Sequence, residues 1–238
     1  MIRPIIHRQL TRGDLACLVE QIARMDAAEG READQALQAG AVDTVLDSPA
    51  ALEAVLGRGG APAPVPLTLL WYVPVRAQLR HHGVTDILLA DYAATLPVVF
   101  ATTHSQRSIA QGESGMAQWW RFVAALPQGT VAQAEAAADS AALALWWAGC
   151  FPEWVARGGA GTGTVRAYVT FAGRMLALAA DLLGASAPEE ASLYSRAAEA
   201  RNELHAALIE ARVDYIGEDP HSSESRLKRF LKRLSRDN

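Results

Sequence analysis

The sequence is poor in the features of a secreted, membrane-spanning or sheet-based protein. Its 238 residues hold two cysteines, Cys17 and Cys150, far apart and in no CxxC pair. They read as reduced, buried thiols or as one long-range disulfide, not as a disulfide framework or a zinc cluster. No apolar run is long enough to cross a bilayer, because the central one is bounded by Asp139 on one side and by Gly149, Pro152 and Glu153 on the other. The opening residues, MIRPIIHRQLTRGD, lack the apolar core and the small-residue cleavage site of a secretion signal. A soluble, cytoplasmic protein is the expectation. Isoleucine and threonine are few while alanine is abundant, so summed propensity favours helix over strand.

What is present is ordinary for a globular chain: half the residues are apolar and a fifth are charged. One stretch stands out, Ala136 to Val155, AAADSAALALWWAGCFPEWV. From Ala141 to Ala148 it has no polar side chain, so as a helix it would be apolar on every face and enclosed by others. The fold class expected is therefore all-α, an irregular multi-helix bundle around a buried central helix.

Along the chain, Thr11 with Asp14 imitates a capping box, and Leu15, Leu18, Val19 and Ile22 follow at helical spacing, which predicts a helix over about 12–27. A second pattern after Gly30 ends near Asp47, and Ser48-Pro49 opens a short third helix. Residues 1–57 thus read as an N-terminal helical hairpin. Gly57 to Pro66, GRGGAPAPVP, is a linker to the main body or a surface loop within one domain. The main bundle spans 67–216. There Leu67 to Val73 reads as a short strand or, with Pro74 and the pattern running on to Gly83, as the favoured proline-kinked helix with Gly83 as its left-handed cap. The next helix ends before Pro97, and Pro188 opens one long helix with Leu193, Ala197, Leu204, Leu208, Ala211 and Tyr215 on one stripe.

The C-terminal residues 224–238 are electrically distinct. The last 13 residues carry six cations against Asp237, about +5, which leaves about −9 for the rest of a chain whose formal charge is −4. Leu227, Phe230, Leu231 and Leu234 recur at i, i+3, i+4 and i+7, opposite Arg226, Lys228, Arg229, Lys232 and Arg233. A basic amphipathic helix so short is marginal alone and must dock: on its own acidic body, on a protein partner or second copy, or on anionic membrane or nucleic acid.

Catalytic patterns are wanting. Gly158 to Thr164 precedes a helix, but Thr164 stands where a phosphate-binding loop needs lysine, so a surface connection is the plainer reading. Histidines 7, 81, 82, 104, 205 and 221 form no HExxH, and no metal or cofactor is expected. No GxSxG elbow occurs. Asp139 reads as a solvent-facing residue, or, if buried, as one paired with Arg121 or Arg174. Trp146, Trp147 and Trp154, with His104, either line an apolar pocket or simply fill the core.

The combination of LWYVPVRAQL, DILLADYAATL, ALALWWAGCFPEWV and YVTFAGRMLALAA, from about Leu67 to Leu183, resembles an uncharacterised group of bacterial all-helical proteins. The resemblance implies a helical fold and carries no catalytic residue. Two functions are open: a non-enzymatic interaction or regulatory protein acting through its basic C-terminal segment, or a small-molecule-binding protein or enzyme with a Trp-lined helical pocket.

Overall fold

A computed structural model describes residues 3–57, 65–103, 115–157 and 163–216, with the side chains at 101–103 and 213–216 outside that set. Among the described residues the chain forms thirteen helices and no strand: α1 (Ile6–Gln9), α2 (Arg12–Met25), α3 (Ala27–Gln38), α4 (Val42–Leu46), α5 (Pro49–Leu56), α6 (Leu67–His81), α7 (Ile87–Thr103), α8 (Met116–Ala125), α9 (Val131–Cys150), α10 (Pro152–Ala156), α11 (Val165–Leu183), α12 (Pro188–Glu199) and α13 (Arg201–Ile216). The all-α expectation holds. No described helix is long and apolar enough to cross a membrane.

α9 starts where Thr130 caps it, the hydroxyl accepting from the Gln133 amide at 3.2 Å. From Ala137 to Cys150 every residue except Asp139 and Leu143 is buried, against α7, α8, α10, α11 and α13. Small residues allow that enclosure. At Gly149 an added Cβ would lie 2.6 Å from the Leu208 Cβ, so glycine sets the approach of α13.

Residues 3–57 hold five short helices where the sequence reading expects a hairpin and a third helix. α2 stops at Asp26, whose carboxylate accepts from the Ala28 and Glu29 amides and caps α3. Gly30 therefore lies inside α3, pressed on Ala23 of α2; it is a contact residue and not a break. The break falls at Gly40, at φ +78°, which separates α3 from α4. The Thr11–Asp14 capping box forms as read, and Gly83 takes φ +80° after α6.

Two further boundaries differ. α7 runs through Pro97, because Leu96, Pro97 and Phe100 are buried and packing outweighs the lost backbone donor. The long helix after Pro188 divides at Ala200, so α12 packs on α11 while α13 turns against α6 and α9.

Candidate functional site

Of the residues singled out in the sequence, the basic segment Arg226, Leu227, Lys228, Arg229, Phe230, Leu231, Lys232, Arg233 and Leu234 lies outside the described residues, as does His104. Trp146, Trp147 and Trp154 are brought together. The Trp147 and Trp154 rings stack at 4.4 Å, Trp146 and Trp147 meet at 4.7 Å, and Phe151 touches both members of the pair at 5.0 and 5.1 Å. Phe100 of α7 stacks on Trp146 at 5.0 Å. The rings thus fill one another's space, and Trp154 is partly exposed. Cys150 is buried, and burial pushes its thiol up to about 12, so it stays protonated and a poor nucleophile. Asp139 is exposed, in keeping with its solvent-facing reading.

Two polar clusters, each built on a buried arginine, join distant parts of the chain. In the first, the Arg76 guanidinium, 5% exposed, donates through Nε and Nη2 to Asp47, and through Nη1 to Asp43 at 2.8 Å and to the Tyr72 hydroxyl at 2.9 Å. Arg80 adds a 2.7 Å pair to Asp47. Burial raises the Asp47 carboxyl, yet the hydrogen bonds and charges of Arg76 and Arg80 outweigh it and hold the group below the usual range. Burial also pushes the Tyr72 phenol up to about 12. One helix away Asp91, buried in α7, accepts from the Ile6 amide at 2.8 Å and the His7 amide at 3.3 Å. Burial raises its carboxyl despite those donors. In the second cluster Arg212 of α13 forms two parallel 2.7 Å hydrogen bonds to Glu153 of α10, which lower the Glu153 carboxyl. These carboxylates are occupied by partners, which makes both clusters clamps between helices.

A different face is open. α8 turns Trp119 and Val123 inward, with Trp119 set edge-on to Tyr168 of α11 at 5.9 Å. Its neighbours in sequence point outward: Trp120 is 50% exposed and Phe122 60%, and Val131, just beyond, is 52% exposed. Between α8 and α11 runs an open groove of about 550 Å³. Met116, Ala117 and Trp120 form one wall, and Phe171, Arg174, Met175 and Leu178 the other. No carboxylate lines it, and among the described residues neither Arg174 nor the adjacent Arg121 enters an ion pair.

Compared with protein-family models, curated proteins and solved structures, the chain matches none. The site therefore rests on its own geometry. Sequence reading missed the groove, although the signal was there. Once Trp119 and Val123 define the inward stripe of a one-sided helix, Trp120 and Phe122 fall off it on either side. The Arg76 clamp left a weaker signal, a cation four residues after Tyr72 and flanked by Val73, Val75 and Leu79.

Proposed function

We propose that this is a non-enzymatic interaction protein whose C-terminal segment, 226–236, docks on a partner protein and not on its own body. The observation that supports this reading is a mismatch of charge on the described surface. The segment needs a receptor that is both apolar and acidic. The described body has four large exposed apolar side chains, Leu88, Trp120, Phe122 and Val131. Trp120 shares its groove with Arg174, and Phe122 follows Arg121 in α8, cations that repel a segment bearing six of their own; Val131 instead has Glu135 one turn on along α9. Leu88 borders a smaller cavity of about 340 Å³ whose charges balance, Arg3 and Arg8 against Glu189 and Glu190. Among the described residues apolar and acidic surface thus meet only in small patches, Val131 with Glu135 and Leu88 with Glu189 and Glu190, and a partner supplies the larger surface that four apolar side chains need.

Lys228 and Lys232 are the only lysines in the chain, so carbodiimide, which joins amines to carboxylates, reports where this segment lies. The expected result for dilute full-length protein is no link within a chain from either lysine to a carboxylate in residues 3–216. Abundant internal links, together with lower stability of a chain ending at Glu224, would instead make the segment part of the fold. Mass by light scattering, with and without residues 225–238 and at low and high salt, identifies the case in which the partner is a second copy. Sedimentation with phosphatidylglycerol vesicles identifies a lipid surface.

A further inference from the structure

The groove between α8 and α11 points to a partner on the strength of its own lining. Its walls are built from Met, Trp, Phe, Arg and Leu with one Ala, and contain no Lys, Glu, Asp or Ser. That is the composition of the centre of a protein interface, where aromatics, Met and Arg are enriched and small polar and acidic residues are depleted. Trp and Arg are also the side chains on which binding energy concentrates. Met116 and Met175, two of the four methionines in the chain, lie on opposite walls, and Met116, the more exposed of the two, is the flexible one.

Length and charge narrow the occupant. Phe171 to Leu178 covers two helical turns, about 10 Å, which is the reach of anchors at i, i+4 and i+7 on a helix laid along the groove. The chain outside its last 13 residues carries about −9, yet the groove is lined by Arg174 and by no carboxylate, and Arg121 stands one turn after the lining residue Ala117, donating to its carbonyl. A local cationic site on an acidic body selects an anionic partner. The chain's own basic segment, in cis or from a second copy, has the wrong sign.

We infer that the α8–α11 groove seats an acidic amphipathic helix of a partner protein, with its apolar anchors between Trp120, Phe171 and Leu178 and a carboxylate on the Arg174 guanidinium. The exposed position of both test residues lets them be changed without unfolding the chain.

The experiment uses the full chain and two labelled synthetic helical peptides that share a leucine pattern at i, i+3, i+4 and i+7, one flanked by Glu and one by Lys, with binding read by fluorescence anisotropy. The Glu peptide should bind, and the Lys peptide should bind at least about ten-fold more weakly. Trp120→Ala should cost the Glu peptide about ten-fold or more, the loss seen on truncating an interface anchor. Arg174→Glu should reverse the order of the two peptides, and Leu88→Ala, on another face, should change nothing. A chain ending at Glu224 should bind the Glu peptide as the full chain does, so this result is independent of the fate of the basic segment. Failure to bind either peptide, equal binding of both, or binding indifferent to both groove variants overturns the inference. So does a protein that ignores the Glu peptide but loses adhesion to phosphatidylglycerol vesicles on Trp120→Ala, which would assign the face to a membrane.

Discussion

Trp119-Trp120 and Trp146-Trp147 are the same dipeptide on two helices that touch, α8 and α9, and the molecule uses them differently. In α9 both rings are buried, 2% and 4% exposed, with aromatic neighbours on several sides. In α8 one ring is buried against Tyr168 and the other is half in water. What separates them is enclosure. α9 contacts five helices, and from Ser140 to Cys150 no residue of it is exposed, whereas α8 has an interior on one side only. A tryptophan that packing does not require is free to serve recognition, and the α8 pair divides those two tasks between adjacent residues.

The contrast is open to test by substitution. The largest effect is expected for Trp146→Ala, which empties space shared with Phe100, Trp147 and Phe151 and should lower unfolding stability by about 3–5 kcal/mol in a denaturant titration. Gly149→Ala tests the same enclosure from the opposite direction. Its new methyl meets the Leu208 Cβ, an atom with little freedom to withdraw, and overpacking should cost about 1–3 kcal/mol by thermal unfolding.

Glu153→Gln asks whether the second polar clamp supports this enclosure. Because Arg212 lowers the Glu153 carboxyl, the folded state binds its proton less readily than the unfolded chain, whose carboxyl titrates near 4.5. The stability contributed by the pair is present above that value and is lost as the pH falls below it. The variant should therefore show a flatter decline in stability below pH 4.5 than the parent chain, and a parallel decline would remove Glu153 from the clamp. Trp120→Ala should change stability least, by no more than about 0.5 kcal/mol, while weakening recognition in the groove about ten-fold or more. If it destabilised as Trp146→Ala does, the contrast between the pairs would collapse.

Most of the architecture was legible because helical periodicity, Thr11, Ser48 and Pro188 mark the helices and their starts. What escaped was governed by contacts between elements distant in sequence. Ala200 has no breaker character, and only the separate docking of α12 on α11 and α13 on α6 divides that helix. Pro97 looks like a stop, yet its surroundings are apolar enough to keep α7 continuous. Gly30 looks like a break because a glycine in a turn and a glycine in a tight helix contact read alike. The groove needed the knowledge that α8 has a single buried side, and the Arg76 clamp joins residues 29 and 33 positions apart, beyond any local pattern.

The bonds from Ile6 and His7 to Asp91 bear on how the chain matures. Those residues are 85 and 84 positions apart, and α1, at four residues, has no stability of its own without the carboxylate that receives its amides. At a synthesis rate of roughly 5–20 residues per second, about 4–17 seconds pass between the emergence of Ile6 and that of Asp91. During this interval α2 to α5 can pair locally and the His7 ring can reach Asp43 of α4, but the Ile6 and His7 amides lack the carboxylate that receives them. Its capture by α7 is thus a late event on the ribosome, and a chain stalled before Asp91 would present residues 3–10 to any protease or chaperone at hand.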